Sequence, residues 1–589
     1  MPILKIFKPK LNAALAALFL AASVPLWADG STPLQQAKAA YQSGDYEQAL
    51  RLWQPLAQQG DAEAQFSLGL MYTKGRGMAP NYKQALFWWQ KAADQGHAGA
   101  QYGLGLMYFH GGGVAQDDKQ AVAWWQKAAG QGLDLAQNHL GIMYDSGRGV
   151  QQSHQEAVIW YRKAAEQGFA PAQTNLGMMY ESGEGVVRDN RQAAAWYRKA
   201  ADQGRAEAQY HLGRIYTFKR DIEDYEQAVV WYRKAADQGY TPAQLGLGGM
   251  YACGWGVERD NEKAMAWYKK AANRGDVNAQ NHLGLLYELG RNVTQDYSQA
   301  VLWYQKAAMQ GDAKAQFTLG KIYDQGRGTI QDDKQAVAWY RRAAEQGHTE
   351  AQYHLGLMYE GGFGVEQDDR QAFLWYQKAA GQGNNNAQYS LGKMYEKGRG
   401  TAQDDKQAAV WYEKAANNYG HADAQYHLGR MYENGQGVEK DDKQAAEWYQ
   451  KAAQQHRSQA QYNLAVMYDE GRGVEKDEQK AAELFRDANW EGVIPAQYRL
   501  GKMYAEGRGL PQNDKLAAAA YQRAAKQGHA GAQYSLGMMY AEGRGVEKNK
   551  QQAKAWWQKV LAQPDNADNA EAKANARKAL QESDGKDTP

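Results

Sequence analysis

Ala315–Gly347 reads AQFTLGKIYDQGRGTIQDDKQAVAWYRRAAEQG, and the chain consists largely of copies of this stretch. Its signature is Gln316. The same glutamine, with the same neighbours, returns from Gln65 to Gln533 in fourteen copies, at a step of 36 residues with one step of 35 into Gln244 and one of 37 into Gln425. A fixed period of this length marks a stacked array rather than a set of separate globular domains. Ala315, Leu319, Ile322 and Tyr323 form the apolar stripe of a first amphipathic helix, helix A. Ala336, Trp339, Tyr340 and Ala343 form the stripe of a second, helix B. Gly326 and Gly328 stop helix A, because glycine takes the left-handed backbone conformation without a Cβ clash. Asp332 and Gln335 have capping-box spacing at the start of helix B, and Gly347 ends it. The fold class is all-α, an α/α superhelical solenoid of antiparallel helix pairs.

Gly320 stands in the middle of helix A, where glycine costs roughly 1 kcal/mol relative to alanine. It recurs nonetheless, with Ala465 as an exception, so the position reads as a close approach between helix A and a neighbour. The small pairs such as Ala343-Ala344 on helix B are expected to form the other side of that approach.

The series A-Q-x-x-L-G-x-x-Y, G-x-G, Q-A-x-x-W-Y and K-A-A, running from about Ala62 to Leu561, resembles the Sel1-like (SLR) repeat family, a relative of the tetratricopeptide repeat with a slightly longer unit. The resemblance implies a binding scaffold whose helices A line a concave face. It also implies what is missing: some exported members staple each helix pair with two cysteines, whereas Cys253 is the one cysteine here, so no intramolecular disulfide forms.

Before the array, Lys5, Lys8 and Lys10, the apolar run 13–24 and Leu26-Trp27-Ala28 have the layout of a cleaved signal peptide over 1–28. The expected location is therefore periplasmic or secreted, with no membrane anchor after cleavage. Residues 29–60 resemble a tetratricopeptide-like capping pair, which would cover the first apolar face. The fourteen repeats occupy 61–562. A capping helix and a disordered tail from Ser583 are expected within 563–589.

Lys and Arg number 68 against 66 Asp and Glu, interleaved along the helices, which argues against nucleic acid, whose phosphates need a concentrated basic face. No nucleophile with its base and no metal-ligand spacing emerges, so neither catalytic residues, metal nor cofactor is assigned. Paired acids such as Asp332-Asp333 are explained as helix caps. The G-R-G turns lack the strand and Lys-Ser/Thr of a phosphate loop.

The candidate site lies in the two residues after each signature glutamine. The first is aromatic at Phe66, Tyr102 and Tyr210, then at Phe317, Tyr353, Tyr389, Tyr426, Tyr462, Tyr498 and Tyr534. The second is histidine in alternate copies, at His139, His211, His282, His354 and His427. The residue before Leu319 projects about 100° away from it, so stacking would form a ladder of imidazoles beside a rail of rings. Two readings stay open: a groove for an extended protein or peptide, or rings that cover their own helices with an alternation inherited from a duplicated two-repeat unit. A polysaccharide is the alternative ligand, and binding to host proteins a third role. Phe218, Trp255 and Phe363, on or beside the turns, are candidate loop contacts.

Overall fold

A computed structural model describes residues 32–417, 420–490, 492–567 and 569–585; the signal segment expected over 1–28 lies outside them. They hold 31 α-helices and no strand. The chain divides into two compact units, Met1–Gln295 and Asp296–Pro589. The first holds the hairpin Pro33–Ser43/Tyr46–Gln58, six complete repeats and the helix A of the seventh. The second begins with the helix B of the seventh, continues through seven more repeats, and ends in a helix over Ala570–Gly585. Of the tail expected from Ser583, three residues continue that helix and four lie outside the described residues.

The quoted repeat folds as read. Helix A is Ala313–Gln325 and helix B is Asp333–Glu345, 13 residues each. Gly326 and Gly328 have φ of 65° and 70°, and Gly347 has 88°. Asp332 accepts the Gln335 backbone N–H, the first half of the expected capping box. The reciprocal half, in which the glutamine reaches back, forms at Thr32–Gln35. In the fifth copy, where the turn has no glycine, helix A ends on Lys219 in an extended conformation, so that joint has its own geometry. His456, standing where the array otherwise closes helix B with glycine, takes the same left-handed conformation at φ 60°.

The hydrophobic core runs across the joints between repeats as well as between the two helices of each. Ala336, Val337, Tyr340, Ala343 and Ala344 of one helix B pack with Ala351, Leu355 and Met358 of the next helix A. A single repeat therefore has no complete core, and stability comes from nearest-neighbour stacking. The alanine pairs belong to this contact. The partner of the mid-helix glycine is instead an aromatic ring, which corrects the expectation: a Cβ at Gly356 would lie 2.5 Å from Tyr376, and at Gly392 2.7 Å from Tyr412. Those tyrosines are held by their hydroxyls, Tyr376 donating to Glu360 at 2.7 Å and Tyr412 to Glu396 at 2.6 Å. In the Trp-bearing copies the ring N–H takes over, Trp89 donating to the Phe66 carbonyl at 3.0 Å.

The signature glutamine has a structural role that spacing did not disclose. Gln316 is buried; its amide donates to the Ala308 carbonyl at the end of the preceding helix B, at 3.0 Å, and its oxygen accepts from Gln346 at the end of its own, at 2.7 Å. The pair of bonds recurs at Gln101, where the donors and acceptors are Ala93 and Gln131, and at Gln352, with Ala344 and Gln382. Where Arg274 replaces the closing glutamine, it bonds the Gly239 carbonyl instead, and the Gln244 oxygen has no donor among the described residues.

Candidate functional site

Each ring of the candidate ladder sits on the second turn of a helix A, fixed by the buried glutamine just before it. In the second unit Phe317, Tyr353, Tyr389, Tyr426, Tyr462, Tyr498 and Tyr534 are all half-buried, as are His354 and His427; in the first unit Tyr210, His139, His211 and His282 are half-buried, while Phe66 and Tyr102 are buried. The rings pack on one another. Phe317 lies 5.9 Å from Tyr340, Tyr389 5.8 Å from Tyr412 and Tyr426 6.0 Å from Tyr449, each on the helix B of its own repeat. The histidines reach backwards: His354 stacks on Tyr340 at 5.1 Å, His427 on Tyr412 at 5.1 Å and His211 on Tyr197 at 5.1 Å. Both open readings thus have a footing, since the rings cover their own helices and still keep an exposed edge.

Electrostatics restrict what the imidazoles can do. Burial pushes His139 and His211 down to about 4, and also lowers His282 and His354. Near neutral pH these four rings are uncharged, so they offer hydrogen bonds and faces rather than positive charge. Burial likewise pushes Tyr389 up to about 12, which keeps its hydroxyl a donor. His427 differs from them in lying 3.3 Å from Glu396.

A second set of histidines escaped sequence reasoning. His97, His348, His421 and His529 are helix N-caps whose Nδ1 accepts a backbone N–H, for example from Ala351 at 3.3 Å. Their rings stack on the ladder, His348 on Phe317 at 4.7 Å and His421 on Tyr389 at 4.6 Å. The legible signal was the G-H-x-x-A-Q string before each signature glutamine. The loop candidates divide. Phe218 is 64% exposed, whereas Trp255 stacks on Tyr225 at 5.3 Å and Phe363 folds over Gly361 while remaining 55% exposed.

On the B helices, the first aromatic of each W-Y pair carries a cation over its ring. Lys378 sits 3.9 Å from the Trp375 centroid, Lys414 4.0 Å from Trp411 and Lys451 3.7 Å from Trp448. The sequence reading placed the first aromatic on the apolar stripe of helix B, and Trp448 is buried there; the lysine three residues on in each case was the signal for this added use.

No helix among the described residues is long and apolar enough to cross a membrane. A comparison with curated proteins finds no match. Among solved structures, a protective antigen of uropathogenic Escherichia coli strains that displays an SLR fold is 35% identical, with 88% of this chain and 98% of that one covered and a TM-score of 0.53. A Sel1 repeat protein from Oxalobacter formigenes is 32% identical over 64% of this chain and 99% of its own, with a TM-score of 0.42. The Sel1 repeat model matches fifteen segments, from 38–61 and 62–97 through 313–348 to 530–563; the first falls within the expected capping pair. With the helix pairs, turns and glutamine fastenings of nearly the whole array thus accounted for, the chain is a helical repeat scaffold and belongs to the Sel1 repeat family.

Proposed function

We propose that this protein is an exported, non-catalytic scaffold that holds an extended protein or peptide segment against the ring strip of its A helices. The observation that carries the reading is the strip itself. In the second unit, seven consecutive repeats each present one half-buried aromatic ring at the same place, and His354 and His427 add hydrogen-bonding edges between them. An extended chain meets such a strip with alternate side chains, packing on and bonding to the exposed ring edges. Export rests on the layout of residues 1–28.

A glycan reading has less to stand on. Sugars stack on open aromatic faces, whereas the B-helix tryptophans have lysines over theirs and the A-helix rings are packed on their neighbours. The test is cross-linking in the native exported compartment with partners identified by mass spectrometry, repeated with His354→Ala, Tyr389→Ala and His427→Ala combined. The expected result is loss of one specific protein partner while the helical circular dichroism spectrum is kept. Wild-type capture by the triple variant would place the binding surface elsewhere, and enrichment of polysaccharide alone would favour the glycan reading.

A further inference from the structure

In several repeats the turn residue meets the first residue of the preceding helix B, thirty positions earlier. Arg148 pairs with Asp118 at 2.9 Å, Arg544 with Asp514 at 2.8 Å, and Arg76 lies over the Tyr46 ring at 5.1 Å, while Trp255 stacks on Tyr225. In the later repeats the arginine also reaches an acid near the end of the preceding helix A, thirty-nine positions earlier. Arg399 sits between Asp369 at 2.7 Å and Glu360 at 3.0 Å; Arg472 lies between Asp442 and Glu433, and Arg508 between Glu478 and Asp469. One guanidinium thus bridges two carboxylates at each of these joints.

Between the third and fourth repeats the same three positions hold Glu184, His154 and Asp145. The acid near the end of helix A is kept, the acid at the start of helix B has become an imidazole, and the guanidinium has become a third kind of ligand, a carboxylate. His154 Nδ1 lies 2.8 Å from Asp145 Oδ1, and one ligand atom from each of the three residues falls within 4.8 Å of the other two. Among the described residues this is the one group of three such ligands so placed. Glu184 is steadied by the Ser182 hydroxyl, which donates to it at 3.3 Å. With Glu184 in the place of the arginine, the joint has lost the permanent positive charge of the guanidinium.

We propose that Asp145, His154 and Glu184 bind one divalent transition-metal ion of the zinc class, which takes the place of the missing guanidinium and joins the third repeat to the fourth. The donor set decides the class. One imidazole and two carboxylates suit zinc and its neighbours, with water completing the coordination, whereas calcium and magnesium prefer all-oxygen surroundings with more ligands. Being drawn from two adjacent repeats, the ligands would make the ion an inter-repeat fastening in a chain that has no disulfide.

The test uses the full chain, stripped with chelator and titrated with zinc chloride by calorimetry, alongside Glu184→Arg and His154→Asp/Glu184→Arg. The double substitution restores the pairing found at the other joints, and Glu184→Arg restores its half towards Asp145; far-UV circular dichroism checks that both variants keep the fold. Wild type is expected to take up one zinc ion per chain and to melt at a higher temperature when loaded. Both variants should lose more than the roughly 10–100-fold in affinity that removal of an outer-shell partner costs, and their melting should not respond to zinc. Absence of a one-to-one site in wild type, or unchanged zinc binding in Glu184→Arg, would overturn the proposal and leave the triad a hydrogen-bonded ion pair.

Discussion

Gly356→Ala adds a single methyl group, and the structure says where it goes. The new Cβ would stand 2.5 Å from Tyr376 Cε1, whereas carbon atoms rest about 3.5–4.0 Å apart. The ring has to retreat by about 1 Å, yet it is tethered: its hydroxyl donates to Glu360 at 2.7 Å, and Glu360 is itself paired with Arg399 at 3.0 Å. Overpacking of this kind costs about 1–3 kcal/mol, and a strained or broken bond to a carboxylate adds about 1.5–3 kcal/mol, against a helix-propensity gain of about 1 kcal/mol. The net expectation is a loss of about 2 kcal/mol. Removing the tether should change the outcome. Tyr376→Phe alone forfeits about 1.5 kcal/mol, but it frees the ring to slide, so the double variant should lose less than the two singles together by about 1–2 kcal/mol. The array contains that combination: in its twelfth copy the position of the glycine is Ala465 and that of the tyrosine is Phe485, both fully buried in one cluster. Because repeats open locally, the readout is amide hydrogen exchange in helices Thr349–Gly361 and Asp369–Gly381. A loss of 2 kcal/mol lowers protection about 30-fold. Strict additivity in the double-mutant cycle would refute the tether.

Three further outcomes are expected. Arg274→Gln should give the Gln244 oxygen its missing donor and stabilise the joint by about 1 kcal/mol, while Gln352→Ala, which removes two buried bonds, should cost about 2–3 kcal/mol; exchange rates of the flanking helices check both. His456→Gly relieves a left-handed conformation held by a side-chain-bearing residue and should raise the melting temperature, by about 0.5–1 kcal/mol in stability. Acid should loosen the first unit. His139 and His211 stay neutral in the folded chain down to about 4, whereas an ordinary histidine is protonated below about 6.5. Between those values the unfolded chain binds more protons, so the stability these rings confer is complete above about pH 6.5 and falls as the pH drops towards 4. Since each ring keeps an exposed edge, the loss is set at about 1–2 kcal/mol per ring rather than the full shift. Denaturation of wild type and of His139→Phe/His211→Phe at pH 7.5 and 4.5 measures it, and an equal loss in both would remove these rings as the cause.

What the sequence made legible was local. Helix lengths, the stops at Gly326 and Gly347 and the Asp332 cap follow from backbone chemistry confined to a few neighbouring residues, and the period told which helices stack. What stayed hidden depends on pairs far apart in the chain. Nothing near Gly320 announces Tyr340 as its neighbour. Gln316 stands out by recurrence, yet its bonds run to Ala308 and Gln346, one in each flanking direction. The spacing shows which residues of the ring ladder share a position, but not how deeply its imidazoles sit. Burial against the B-helix rings, a tertiary effect, holds His139 and His211 below the ordinary histidine range. The Asp145, His154 and Glu184 group was invisible because its signal is a departure at two positions, His154 and Glu184, in two different repeats, neither of them unusual alone.

The glutamine fastening has a consequence for how such a chain can change in length. Every copy with both glutamines brings one donor for its predecessor and one acceptor that it satisfies itself, so this fastening does not depend on which copy comes next. A duplication or excision of 36 residues through recombination between repeats would join any two such copies with their fastenings intact. Copies like the sixth, where Arg274 breaks the rule, are the poor places to cut: moved elsewhere, they carry their unsatisfied oxygen with them. Array length in this architecture is therefore a quantity that inheritance can adjust in whole units, at little thermodynamic penalty, while the ends stay fixed.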